Sequence, residues 1–111
     1  MSGKDRQVLE KISRHIENAM KYSHRFEDIN DFEADSMCVE ACVFNLMQIG
    51  ELARIGLSDE VKQQIKGVPW NRIYGIRDRI MDERDGVKID IVWEMTRERL
   101  PIILTGIKEY V

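Results

Sequence analysis

Apolar residues recur at three- and four-residue steps along most of this chain, the spacing of helices with a buried face. Over residues 5–27, Val8, Leu9, Ile12, Ile16, Ala19, Met20 and Phe26 share one side, while Lys11, Arg14, Glu17 and Lys21 fall mostly on the other. That pattern predicts a first amphipathic helix. The polar run Asp28 to Asp31 predicts a turn. A second helix is predicted over 32–55, where Met37, Cys38, Val39, Ala41, Cys42, Val43, Phe44, Leu46, Met47 and Ile49 leave almost no polar face. A helix that is apolar all round is buried on several sides. In so small a domain part of that surface is expected to meet a second copy of the chain. Gly56 should end this helix, Ser58 should cap a short third one with Asp59 and Glu60 in its first turn, and Gly67 should stop it.

The stretch from Val68 to Trp93, VPWNRIYGIRDRIMDERDGVKIDIVW, carries the most information. Pro69 suits the first position of a fourth helix, where its missing N–H costs nothing. Trp70, Ile73, Tyr74, Ile80 and Met81 mark an apolar face, and the helix is expected to run to Arg84–Gly86. Arg77 falls in the middle of that face, and Arg72, Arg79, Arg84 and Lys88 surround it. A guanidinium on a core-facing stripe needs a partner, because an unpaired buried charge is costly. Glu51, a lone acid closing the apolar second helix, is the first candidate. Asp90 should cap a fifth helix with Ile91, Val92, Met95, Leu100, Ile103, Leu104 and Ile107 inward. Pro101 inside it predicts a kink near Arg97.

The fold class predicted is therefore all-α, a bundle of about five helices forming one domain over residues 1–111. Net charge is −3, with 20 acidic against 17 basic side chains, which argues against a dedicated basic coat for nucleic acid but not against a local cleft. Cys38 and Cys42 lie one helical turn apart, a geometry that disfavours a bridge between them, and free thiols suit a reducing cytosol. No zinc-site spacing occurs. The charged start MSGKDRQVLEKI is unlike a signal peptide, and no apolar run reaches membrane-span length. A cytoplasmic protein without membrane contact is expected.

The order "VPW", "IYGIRDR", "VKIDIVW" and a helix containing "LP", preceded by "IGELAR" at Ile49 to Arg54, resembles the HEPN family, and within it the small HepT-like toxins of prokaryotic toxin–antitoxin pairs. The resemblance spans roughly residues 5–105. It implies a helical, HEPN-like bundle, a two-fold homodimer through helices two and four, and metal-independent RNA endonuclease activity without a cofactor. It also implies a nucleotidyltransferase-fold antitoxin as partner and RNA as a candidate ligand. The family motif is an arginine, usually followed by asparagine, with histidine five positions after the arginine. In many members a tyrosine two residues further on is AMPylated. Arg77 fits the arginine, but Asp78 stands at the asparagine, Asp82 at the histidine and Arg84 at the tyrosine. AMPylation in the family's manner therefore has no target here.

Arg77, Asp78 and Asp82 are the candidate catalytic residues. A planar guanidinium suits a phosphodiester, so Arg77 either stabilises phosphate charge or forms a structural ion pair with Glu51. Asp78 and Asp82 are expected one turn apart on one helix face, as a solvated acidic edge. The functional alternatives are Asp82 as a general base, which demands a raised pKa, and carboxylates of two protomers sharing Mg²⁺ or Mn²⁺. Arg79 and Arg84 should instead push the Asp82 pKa down. His15 and His24 lie far from the motif and receive no role; Tyr74 and Tyr110 read as packing residues. Function then has three readings: a HepT-like toxin with weakened RNA cleavage, a catalytically degenerate HEPN subunit that binds or regulates a nucleotidyltransferase-fold partner, and a plain dimeric helical adaptor.

Overall fold

A computed structural model describes residues 1–111. Helix α1 (Gly3–Ser23) starts where the Ser2 hydroxyl accepts the Asp5 N–H at 3.0 Å. It lays Leu9, Ile12, Ile16 and Ala19, all almost fully buried, along α3 (Ser36–Glu51), whose Cys42, Leu46 and Ile49 face back. This pair is the centre of the bundle. Between them stands a short helix where a turn was expected. Asp28 caps α2 (Ile29–Ala34) by accepting the Asn30 N–H at 2.6 Å. Its one fully buried side chain, Phe32, meets Phe26 edge-on with ring centroids 5.8 Å apart and Trp93 at 5.2 Å. Asp35 then caps α3 through the Cys38 N–H at 3.0 Å.

The second predicted helix is apolar on both sides, yet only one side is covered. Cys38, Val39, Cys42, Leu46 and Ile49 are buried, while Met37 is 79% and Phe44 58% exposed. The helix runs on as a π-helical turn (Leu52–Gly56), where Ile55 is 68% exposed. Cys38 and Cys42 are buried free thiols. Burial pushes the Cys42 thiol up to about 12.

Ser58 caps α4 (Asp59–Gln64), as its position predicts, by accepting the Val61 N–H at 3.3 Å. It also anchors α1: its N–H and hydroxyl donate to the two carboxylate oxygens of Asp5 at 2.9 and 2.7 Å. Those two bonds, with a smaller contribution from Ser2, hold the Asp5 carboxyl below its usual pKa against the opposing effect of burial.

The predicted fourth helix is not continuous. It splits at Gly75, whose φ/ψ of −90°/10° leaves the helical region, into α5 (Trp70–Tyr74) and α6 (Ile76–Ile80). The segment to Val87 is a small antiparallel hairpin, β1 (Met81–Asp82) and β2 (Gly86–Val87), with Met81 opposite Val87 and Asp82 opposite Gly86. Gly86 has φ +79°, a left-handed conformation that a side chain would strain. The last helix begins as α7 (Ile89–Glu94), one residue before the expected cap, and continues through a π-helical turn (Met95–Arg99) into α8 (Leu100–Lys108). Pro101 follows that wider turn, which replaces a sharp kink at the position expected for one. From the turn, Arg97 donates to the Ser23 and Phe26 carbonyls at 3.2 and 2.9 Å, tying the end of α1 to the C-terminal helices. The architecture is all-α apart from this hairpin, and 24 buried apolar residues form one core cluster.

Candidate active site

Ile73, Ile76 and Ile80, at steps of three and four residues across the break at Gly75, take the inward positions. Arg77, expected on that stripe, is exposed on α6. It lines a recess of about 140 Å³ together with Met47, Gln48, Gly50 and Glu51 of α3 and Tyr74 of α5. Glu51 is thus beside Arg77 but does not pair with it. Glu51 meets Arg54 instead, one turn on, at 3.8 Å, and both side chains are more than half exposed. The expected buried Arg77–Glu51 ion pair is overturned, and the Arg77 guanidinium is exposed and forms no ion pair.

Beside the recess α3 and α5 approach closely. A Cβ on Gly50 would stand 3.0 Å from the Ile73 carbonyl oxygen and 3.7 Å from the Ile76 Cβ. Only a residue without a side chain keeps that separation. Tyr74, read from sequence as a packing residue, is a half-buried wall of the recess. Gln48 was not singled out by the sequence, and Gly50 entered only as part of the "IGELAR" string, the one signal that this end of α3 belongs to the site.

The two aspartates are not arranged as expected. α6 ends at Ile80, so Asp78 remains exposed on the helix while Asp82 sits in the hairpin. They do not share a helix face. The Asp82 Oδ1 accepts the Arg84 N–H at 2.8 Å and the Asp85 N–H at 3.1 Å, closing the turn between the strands. The Arg84 N–H is the main cause that holds the Asp82 carboxyl below the usual carboxylate range, followed by the Asp85 N–H; Lys88 adds a little and desolvation opposes. The sequence predicts the direction of this shift, but from side-chain charges. Backbone donors supply most of it. An ionised Asp82 has no proton to give at neutral pH and is a weak acceptor of one.

Within one chain no group of three or more His, Cys, Asp or Glu side chains converges that could hold a metal ion. His15 of α1 does not line the recess; its Nδ1 is 2.8 Å from the Asn45 Oδ1 and its ring is edge-on to Phe44 at 6.2 Å. No helix is long and apolar enough to cross a membrane.

A protein of Caldanaerobacter subterraneus subsp. tengcongensis named "Putative RNase TTE0752" is 34% identical over 79 residues, covering 71% of this chain and 70% of the relative. "Putative RNase MJ1380" of Methanocaldococcus jannaschii is 26% identical over 76 residues, 68% of this chain and 69% of the relative. No solved structure is a significant match. The sequence model of the family described as "Ribonuclease HepT-like" matches residues 12–110, nearly the whole bundle including the recess and the hairpin, and the chain belongs to the HepT-like ribonuclease family.

Proposed function

We propose that residues 1–111 form one HEPN-like domain, the toxin half of a toxin–antitoxin pair, whose RNA-cleaving activity is weakened at the position of the motif histidine. Cleavage of this class lets a ribose 2′-hydroxyl attack the adjacent phosphate. The reaction needs a cation at the phosphate, an acceptor for the hydroxyl proton and a donor for the leaving 5′-oxygen. Arg77 suits the first role, being exposed and without an ion-pair partner at the rim of the recess. Asp78 and Asp82 fill the motif positions beside it without matching its chemistry. The observation that carries the reading is Asp82, ionised and committed to two backbone N–H groups. It places a fixed negative charge where imidazole would exchange protons near neutral pH.

The same observation favours a second reading, a degenerate HEPN subunit that binds or regulates a nucleotidyltransferase-fold partner. Both readings share a homodimer, supported by the uncovered Met37–Phe44–Ile55 side of α3 and its continuation. Both suit a cytoplasmic protein, in keeping with two buried free thiols. RNA cleavage by the purified chain, with and without EDTA and beside Arg77→Ala, separates them. We expect little EDTA-resistant cleavage from the natural sequence and a measurable gain from Asp82→His combined with Asp78→Asn. That gain should vanish again when Arg77→Ala is added. Robust EDTA-resistant cleavage by the natural chain, lost in Arg77→Ala, would show an active toxin in which Asp82 does not limit the reaction. No gain from the double substitution would leave the degenerate subunit.

A further inference from the structure

A second and larger recess, about 560 Å³, adjoins the first across Tyr74, which lines both. Its walls come from α4, α5 and the loop between them. Trp70 is partly exposed, and its orientation is fixed because its indole N–H donates to the Lys62 and Ile65 carbonyls at 3.0 and 3.2 Å. The Lys62 ammonium stands 4.9 Å from the Tyr74 ring centre, and its Nζ reaches the Arg54 carbonyl at 3.4 Å. Asn71 and Gln63 contribute amides, and Arg72 contributes a guanidinium that forms no ion pair. Asp59 is the one acid on these walls, so cations outnumber anions there although the chain as a whole is negative.

Aromatic rings, amides and cations around one open groove are the set that single-stranded nucleic acid requires. Rings stack unpaired bases, cations follow the phosphates, and amides meet base edges. A duplex keeps its bases stacked on each other and gains little from such rings. We infer that the Lys62–Trp70–Asn71–Arg72–Tyr74 groove is a subsite for a nucleotide flanking the phosphate held at Arg77, with an unstacked base against Tyr74 and the backbone along Lys62 and Arg72. This rests on the reading of the chain as an RNA-directed HepT-like protein and adds where the strand lies. Tyr74 is the hinge of the arrangement because it is the wall common to the groove and the Arg77 recess. A strand bound in both would cross it.

The test is fluorescence anisotropy with a labelled single-stranded oligoribonucleotide bearing 2′-O-methyl groups throughout. The missing 2′-hydroxyl removes the nucleophile, so binding is read apart from cleavage. The natural chain should bind this probe at least ten-fold more tightly than its duplex form. Tyr74→Ala should weaken binding about ten-fold or more, the size of one base–aromatic stack, and Tyr74→Phe should hold within about two-fold of the natural chain, keeping the ring. Lys62→Gln and Arg72→Gln should each flatten the dependence of log Kd on log salt by about 0.7, one phosphate contact on a single strand. That slope also carries the test if Tyr74→Ala is too unstable to assay. Equal affinity for single strand and duplex, natural affinity in Tyr74→Ala with unchanged slopes in the cation variants, or no binding of the probe would overturn the subsite. Its failure is distinguishable from failure of the functional reading. Cleavage restored by Asp82→His with Asp78→Asn but indifferent to Tyr74→Ala removes the subsite alone. Probe binding lost in Tyr74→Ala, with no cleavage from any variant, removes the nuclease reading alone.

Discussion

At the scale of single residues, the molecule's perturbed carboxylates are set by backbone and hydroxyl donors. Asp5 holds Ser58 through two short bonds and is lowered by them. A carboxyl whose folded pKa lies below its unfolded value contributes stability that is fully present above the unfolded value and lost as pH falls through the folded one. Asp5 therefore stabilises the fold at neutral pH and ceases to do so in acid, below about pH 4. We expect Asp5→Asn to lower the unfolding free energy from urea titration at pH 7 by about 1–2 kcal/mol, the size of hydrogen bonds to a charged acceptor. The gap between variant and natural chain should narrow by pH 3; a gap independent of pH would mean that Asp5 acts by shape alone. Arg77 gives the opposite expectation. Exposed and without an ion pair, it should be replaceable by alanine within about 0.5 kcal/mol. Thermal melting checks this, and a loss of several kcal/mol would restore the buried pair with Glu51.

At the scale of elements, the site is flanked by one close approach and one break. Gly50 lets α3 reach the backbone of α5, and Gly75 divides what periodicity alone reads as a single helix. We expect Gly50→Ala to cost about 1–2 kcal/mol, because the added methyl meets a helix carbonyl and overpacking in a close contact is destabilising. It should also disturb the Arg77 recess, so a loss of probe affinity ought to accompany the lower melting temperature; a melting temperature at or above the natural value would show that α5 can give way. The amphipathic helices α1 and α8 were legible from sequence, since they bury Val8, Leu9, Ile12, Ile16 and Ala19, and Leu100, Ile103 and Ile107, as their spacing selects, whereas α3, read as buried on several sides, covers only one. The motif region was less so. A period of three to four over Trp70, Ile73, Tyr74 and Ile80 fits a continuous helix as well as two short ones, and Gly75 alone did not weigh enough against it. The hairpin was hidden for a related reason. Each of its strands is two residues long, too short for any alternation to register. The inward stripe runs through Ile76 rather than Arg77, so taking Arg77 as inward also paired it with Glu51, and running the helix past Ile80 set Asp82 on a helix that ends two residues earlier. The recess itself depends on residues distant in sequence, Gln48 and Gly50 with Tyr74 and Arg77, and no spacing within one segment could have assembled them.

At the scale of the whole molecule, the uncovered side of α3 and its π-helical continuation is the largest unexplained feature. Met37, Phe44 and Ile55 are all more than half exposed and recur at steps of seven and eleven residues, spacings that keep residues on one side of a helix. A stable interface removes about 800 Å² from each partner, a modest share of the 6898 Å² this chain exposes. The wall of the Arg77 recess is the next turn of the same helix, through Met47, Gln48 and Glu51. Two copies joined along this side would bring their recesses toward a common cleft, and strand binding would then depend on association. We expect the natural chain to run as a dimer in light scattering at micromolar concentration. Phe44→Glu, which plants a charge in the middle of the apolar side and disturbs no buried group, should give a monomer with unchanged helical circular dichroism. Because Phe44 lies outside both recesses, any fall in affinity for the single-stranded probe in this variant would measure what the second copy contributes. A natural chain that is monomeric under these conditions, or a Phe44→Glu chain that remains dimeric, would place the interface elsewhere or remove it.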